Sequence, residues 1–530
     1  MSHPVIPAPA RFDDGPGQFA LRPGAPIVYT APEVTTTVER FGSELTRRTG
    51  LRLAPAAGPP APAAAEPSVR IELAAADEPG LLPRPLGLPP EGEHAPDERY
   101  SLTVDTGQVV LRAAEPAGVA RGLTTLIQLA ATRTSDNGEI VIPGARIADG
   151  PRYAWRGLSL DVARRFLTPA EVRRVIDLLA LYKLNVLHLH LTDDQGWRLP
   201  QGRPDERPDR GEAFYAAEDL RALVAYAADR FVTVVPEVDM PGHASALLRI
   251  RPELDSGRNS VERRSASGQE TRTVWLDPEL PVTFTLVEEV LTGVAGIFPG
   301  PYLHIGGDES WGMPHDLYVS YVRRVRDLVR SIGKRPVGWQ ESARAGLAPA
   351  DTIQYWFSGI AFAPSLPPEV AREMEADLAL SRGDVDAAAA ASARVIVSPM
   401  SHCYFDVPYA EPSADPAQAA RQARAGLRIY APVTVAESFG WDPAQALGAD
   451  RNPRAPRVAG VEAAIWTETV SDFGDLSFLL LPRLPGVAHK AWSDPRGGAW
   501  PDHRDRLAWH GRLWAQDDLE YFRASTVNWR

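Results

Sequence analysis

Cysteine is almost absent from this chain. Cys403 is the single one in 530 residues, which excludes an intramolecular disulfide framework and a cysteine-rich metal site. Long apolar runs are missing as well: no stretch reaches the roughly 18 residues that a membrane-spanning helix needs. The amino terminus MSHPVIPAPARFDD carries neither a basic region nor an apolar signal core, so the expectation is a soluble, cytoplasmic chain without a membrane partner. Basic residues are in the minority, 56 Lys and Arg against 68 Asp and Glu, giving a net charge of -12. With no long basic run, that balance argues against nucleic acid and suits a neutral or weakly charged substrate. Oligomeric state is not legible.

A hydrophobic fraction of 44% is ample for a core, and the length fits a barrel with an accessory domain. Residues 1–150 read as a small, non-catalytic α+β domain. Val34, Val38, Phe41 and Leu45 recur at helical spacing and stop at Gly50, a C-terminal glycine. Pro55 to Pro67 is expected to be a loop, because repeated prolines remove donors. Val69 to Leu73, Tyr100 to Val104 and Val109 to Leu111 read as strands, and Val119, Leu123, Leu126 and Ile127 as a helix.

From Trp155 onward strands and helices alternate, and residues 151–530 read as one (β/α)₈ TIM barrel with C-terminal helices. Thr168-Pro169-Ala170-Glu171 is a capping box with proline in the first helical position. Strands are expected at Gly157–Val162, Asn185–Leu191, Phe231–Val235, Tyr302–Ile305, Arg335–Gly338, Thr352–Trp356, Arg394–Val397 and Val458–Ile465.

Barrel active sites lie at the carboxyl ends of the strands, and polar residues collect there. In chain order these ends carry Asp161 and Arg164; Asp193 and Asp194; Glu237, Asp239 and His243; Asp308 and Glu309; Trp339, Gln340 and Glu341; Trp356; Tyr404 and Asp406; Trp466 and Glu468. A lone Asp-Glu pair is ordinarily a solvated turn. Here Asp308 and Glu309 follow an apolar strand and two glycines, which allow a sharp turn and close approach to a ligand. Carboxylates, an arginine and tryptophans on one mouth suit a sugar, since indole faces stack on pyranose C–H faces while charged groups bond hydroxyls. A competing reading takes His188 and His190, on one strand face, with Asp193, Asp194 and His243 as ligands of a divalent metal. The alternative is that these histidines line the barrel interior and bond to neighbours.

The motifs AWRGLSLDVARRF (Ala154 to Phe166), KLNVLHLHLTDDQGW (Lys183 to Trp197), VPEVDMPGH (Val235 to His243), HIGGDESW (His304 to Trp311), VGWQE, QYW, YFD and GVEAAIWTET closely resemble those of glycoside hydrolase family 20, the exo-acting β-N-acetylhexosaminidases of actinobacterial type. The resemblance implies retaining, substrate-assisted hydrolysis of terminal β-linked GlcNAc or GalNAc, with no metal and no organic cofactor. It assigns Glu309 as general acid and base, Asp308 as the group orienting the 2-acetamido function, and Tyr404 as donor to its carbonyl oxygen. Trp339, Trp356 and Trp466 are implied to cage the acetamido group and ring. Arg164, Glu468 and Asp406 are implied to bind ring hydroxyls, and Asp193, Asp239 and His243 to support them. The implied partners are amino-sugar oligosaccharides or glycoconjugates. Two alternatives share the motifs: disaccharide release by a lacto-N-biosidase, and a non-catalytic amino-sugar-binding protein. Three departures stand out: Arg165 where histidine is usual, an alanine-rich helical stretch at about Ala361 to Arg394, and Gly426 to Ile429 where a further tryptophan is common.

Overall fold

The computed structural model describes residues 3–58, 67–74, 82–92, 95–132, 140–200, 213–264, 270–359, 368–448, 455–495 and 498–530. The amino-terminal sheet contains β1 (Arg11–Leu21), β2 (Pro26–Tyr29), β3 (Ala54–Ala57), β4 (Ser68–Leu73), β5 (Tyr100–Val104), β6 (Gln108–Ala113) and β7 (Ile140–Asp149), in the order β1-β7-β5-β6-β4-β2-β3. Helices α1 (Thr35–Thr49) and α2 (Pro116–Ala131) pack on it. Val34, Val38, Phe41 and Leu45 meet Val119, Leu123, Leu126 and Ile127 in one core with the sheet. The helical spacing of these apolar residues gives each helix a single buried stripe.

The expected loop from Pro55 to Pro67 needs correction at its start. Ala54–Ala57 is a strand, parallel to β2 with Pro55 opposite Ile27. It lies at the sheet edge, where a proline breaks no ladder on the outer side. Residues 59–66 lie outside the described residues.

The barrel is closed and parallel, built from β8 (Trp155–Asp161), β9 (Val186–His190), β10 (Thr233–Glu237), β13 (Tyr302–His304), β14 (Arg335–Trp339), β15 (Thr352–Tyr355), β16 (Arg394–Val397) and β17 (Arg457–Ile465). A two-stranded hairpin, β11 (Ser260–Arg264) with β12 (Glu270–Val274), interrupts the connection from the third barrel strand to the fourth. Every residue of β8 and of β9 is buried, as expected of parallel strands covered on both faces. The helix α3 (Pro169–Leu181) starts on the predicted capping box: Glu171 N–H donates to Thr168 Oγ1 at 3.2 Å, and Thr168 N–H donates to Glu171 Oε2 at 2.7 Å. Further helices α4 (Ala217–Ala228), α5 (Ser245–Ile250), α6 (Pro281–Ile297), α7 (His315–Ser331) and α8 (Pro368–Ala390) follow. The helix α8 occupies most of the described part of the alanine-rich stretch, which ends at the start of β16; 361–367 lie outside the described residues. It is anchored on the turn Gln340–Ala345 through Arg344 and Asp384, and Ser381 Oγ donates to the Phe357 carbonyl at 2.7 Å. Among the described residues no helix is long and apolar enough to cross a membrane.

Buried charges join the sheet domain to the barrel. Lys183 Nζ reaches Asp149 Oδ2 at 2.8 Å with both side chains fully inaccessible. The same carboxylate accepts from Tyr100 Oη at 2.7 Å and from Trp492 Nε1 at 2.8 Å. Removing one partner of such a pair strands the other charge. Asp149→Ala is therefore expected to destabilise the protein by about 3–5 kcal/mol, read as a lower urea midpoint. A midpoint equal to wild type would show that Lys183 finds another partner.

Candidate active site

Beneath the barrel mouth lies a chain of buried, bonded charges. Glu462, inside the apolar strand β17, accepts from Trp155 Nε1 at 2.7 Å and meets His188 Nδ1 at 2.8 Å. His188 Nε2 lies 3.1 Å from Glu237, which also meets His190 Nδ1 at 2.5 Å and His304 Nδ1 at 2.9 Å, and accepts from Trp339 Nε1 at 2.7 Å. His190 Nε2 then meets Asp193 at 2.8 Å, and Asp193 meets Arg164 Nη2 at 2.8 Å and His243 Nδ1 at 3.3 Å. Burial opposes charging Glu237 and Asp193, but their cationic partners win, and both carboxyls are held well below the usual range. Burial likewise opposes the imidazolium of His188, yet Glu237 and Glu462 raise its pKa to about 9. His190 is raised well above the ordinary value, against burial, by Glu237 and Asp193.

Each ring nitrogen of the two histidines is thus matched to a carboxylate. Donor atoms of His190, Asp193 and Asp239, and of Asp239, His243 and Asp308, lie within 4.8 Å of one another, close enough for ligands. Both nitrogens of His188 and of His190 face carboxylates, which favour the protonated rings over the neutral imidazole that a metal takes.

At the end of β13 the chain turns through Gly306 and Gly307, with φ of +64° and +102°. A Cβ on Gly306 would stand 1.6 Å from Asp239 Oδ1; only glycine lets Asp239 approach and accept from the Gly307 N–H at 3.1 Å. Burial and the Asp308 charge raise the Asp239 pKa well above the ordinary value. His243 stands among the carboxylates, its Nε2 3.6 Å from Asp308 and 3.7 Å from Glu309. Although burial opposes it, Asp193 and Asp239 raise the pKa of this imidazole well above the ordinary value. Glu309 has φ of +45° and His243 +50°, left-handed conformations costly for residues with a Cβ and typical of functional sites. The Asp308 side chain is 12% exposed and that of Glu309 38%. Burial, reinforced by the Asp308 charge and opposed by His243, Arg263 and Arg164, raises the Glu309 pKa. Asp308 Oδ1 is buried without a hydrogen-bond partner.

Aromatic rings wall the same mouth. Trp339 and Trp466 have centroids 6.0 Å apart, Tyr404 lies 5.9 Å from Trp466, and Trp356 lies 6.1 Å from Tyr404 with planes inclined by 6°. Arg164 sits 5.1 Å over Trp466 and 4.0 Å from Glu468. Burial, together with Tyr430 and Asp308, raises the Tyr404 hydroxyl well above its ordinary pKa, leaving it a neutral donor. Burial and the Glu468 charge do the same for Asp406, neither of whose oxygens has a hydrogen-bond partner. Thus Glu309, Asp308, Tyr404, Arg164, Trp339, Trp356, Asp406, Trp466, Glu468, Asp193, Asp239 and His243 converge on one mouth. Asp194 turns aside to accept from the Ser245 N–H at 2.9 Å. Arg165 points away to the Ser471 carbonyl.

Four more residues belong to this constellation: Glu237 and Glu341, noted only as polar strand ends, and Glu462 and Tyr430, which were not singled out. Glu237 and Glu462 fasten the floor. Their signal was available: a carboxylate within an apolar buried strand needs a partner. Glu341 Oε2 accepts from Trp356 Nε1 at 3.1 Å. Tyr430, just beyond Gly426 to Ile429, is buried in a cluster with Tyr404, bordered by Trp356 and Trp466, and no spacing in the sequence points to it.

The chain matches the model "glycosyl hydrolase family 20, catalytic domain" over residues 153–315 and 312–495, and "glycosyl hydrolase family 20, domain 2" over residues 2–150. A β-N-acetylhexosaminidase of Cellulomonas fimi is 36% identical over 446 residues, covering 82% of each chain. The N-acetyl-β-hexosaminidase of Streptomyces plicatus, solved in complex with thio-NAglucal, superposes with a TM-score of 0.79 at 32% identity, covering 99% of this chain and 98% of that one. A mutant of that enzyme was solved with the product GlcNAc. Matched through both domains, at an identity that carries more than the fold, this chain belongs to glycoside hydrolase family 20.

Proposed function

We propose that the protein is an exo-β-N-acetylhexosaminidase that releases terminal non-reducing β-linked GlcNAc or GalNAc from oligosaccharides or glycoconjugates, with retention and with the substrate's own acetamide as nucleophile. The observation that carries the mechanism is a pair of adjacent carboxyl groups in different settings. Glu309 is partly buried at the mouth with a raised pKa, and Asp308 is buried with an unpartnered oxygen beside the aromatic box. The raised Glu309 pKa suits a proton donor, and the unpartnered Asp308 oxygen suits an acceptor for an N–H.

Glu309 donates its proton to the glycosidic oxygen as the C1–O bond breaks. Asp308 accepts a hydrogen bond from the acetamido N–H, turning the carbonyl oxygen onto C1, where the new C1–O bond closes an oxazolinium ring. Tyr404 donates to that oxygen, and the ring methyl lies against Trp339, Trp356 and Trp466. The Glu309 carboxylate then takes a proton from water as it attacks C1, reopening the ring and restoring the acid. Family 20 is among the substrate-assisted exceptions to the two-carboxylate scheme. Arg164, Glu468 and Asp406 bind the ring hydroxyls, and a pocket closed by Arg164 and Asp406 suits release of one sugar rather than two. His243 and Asp193 hold the arginine and the acid in place.

The deciding experiment compares an aryl β-N-acetylglucosaminide with the plain aryl β-glucoside, with and without a thiazoline mimic of the cyclised acetamide. Cleavage of the acetamido substrate alone, blocked by the thiazoline, is expected. Equal cleavage of both, or of neither, would overturn the reading.

A further inference from the structure

We propose that Trp311 and Arg263 form the wall of the leaving-group subsite, and that Arg263 makes this position select a sugar bearing a carboxylate. The inference rests on the hydrolase reading above and adds the chemical class of the departing sugar.

The glycosidic oxygen has to lie at the Glu309 carboxyl, so the groups that continue beyond the acid, away from the aromatic box, meet the leaving sugar. Trp311 is two residues past Glu309, and its N–H donates to the Glu309 carbonyl at 2.6 Å. The hairpin β11–β12 docks on this turn. A Cβ on Gly312, whose φ is +77°, would lie 2.8 Å from Val261 Cγ1 and 3.5 Å from Trp275. The base of the hairpin is locked where Asn259 Nδ2 donates to the Leu254 and Trp275 carbonyls and the Leu276 N–H donates to the Pro241 carbonyl. Alternate strand residues share a face, so Arg263 projects on the side on which Val261 packs against Gly312, and its guanidinium lies 3.9 Å from the Trp311 ring. Glu262, between them, is exposed.

This pair combines two recognition elements at one place. A half-buried indole presents an apolar surface to a pyranose, and a guanidinium recognises carboxylates through its planar fork. The opposite side of the scissile bond is rich in carboxyl groups, with Asp308, Asp406 and Glu468 around the non-reducing sugar. The leaving side carries Arg263, close enough for its charge to act on Glu309.

The test uses three substrates of the full-length protein: the β-fluoride of GlcNAc, which has no leaving sugar; N,N′-diacetylchitobiose, whose leaving sugar is neutral; and GlcNAc β-linked to a uronic acid. Wild type is expected to favour the uronic acid disaccharide over chitobiose by about tenfold in kcat/KM at low salt, the scale of one charge-assisted contact, with the preference shrinking at high salt. In Arg263→Gln that preference is expected to vanish. In Trp311→Ala the ratio of kcat/KM on chitobiose to that on the fluoride is expected to fall about tenfold, a loss scaled to one stacked ring, with Trp311→Phe recovering most of it. An unchanged preference in Arg263→Gln, or an unchanged ratio in Trp311→Ala, would overturn the assignment. A wild type that does not hydrolyse the fluoride would instead overturn the hydrolase reading.

Discussion

Glu309→Gln is expected to lower kcat/KM on N,N′-diacetylchitobiose by about 10²–10⁴-fold, the range a positioned general acid contributes. The loss arises because a sugar alkoxide is a poor leaving group without a proton, and glutamine has none to transfer. On the β-fluoride of GlcNAc, whose leaving group departs without protonation, the decrease is expected to be far smaller in the first step. The pH profile adds an independent signature. Glu309 must be protonated in the free enzyme, so kcat/KM on chitobiose falls as pH rises through its pKa. That pKa is raised by burial and by the Asp308 charge, which places the falling limb above the usual carboxylate range. In Glu309→Gln this limb is expected to disappear. A variant that keeps both the rate on chitobiose and the limb would remove Glu309 from the acid role.

Asp308→Ala is expected to cost about 10²–10³-fold in kcat, comparable to deleting one preorganised hydrogen-bond partner of a transition state. Its pattern across substrates differs from that of Glu309. Attack of the acetamide oxygen on C1 is required whatever group leaves, so chitobiose and the fluoride are expected to suffer alike. The thiazoline, which presents the cyclised acetamide ready-made, is expected to bind the variant more weakly because it loses the carboxylate beside its nitrogen. Steady-state rates on both substrates together with thiazoline inhibition constants check this. Loss on chitobiose alone would mean that Asp308 acts by tuning the neighbouring acid rather than by orienting the amide.

Trp339 and Glu237 illustrate the division between what pattern reveals and what it hides. The tryptophan was legible because it ends a short apolar strand, and strand ends are where barrel sites assemble. The glutamate that holds its indole, itself legible only as a polar strand end, lies two barrel strands and more than a hundred residues earlier, and only the folded barrel brings them within 2.7 Å. The same holds at the edge of the first domain. β1 pairs with β7, an association between distant segments that no local periodicity announces, and β3 forms despite Pro55 because the adjacent β2 offers a free edge. The helix α8 was legible as helix from its composition, but its seat against Arg344 was not.

By itself the sequence determined the alternation that makes a barrel, the polar residues at its strand ends and the Asp308-Glu309 pair after two glycines. These are local properties: side-chain type, period and backbone permissiveness act over a few neighbouring residues. Tertiary structure alone decided which carboxylates His188 and His190 meet, that His243 stands between Asp193, Asp308 and Glu309, and that Tyr430 joins Tyr404. The reason is electrostatic. Whether a carboxyl or an imidazole holds its proton depends on burial and on charges a few ångströms away in space, and in this chain those charges come from strands tens to hundreds of residues apart.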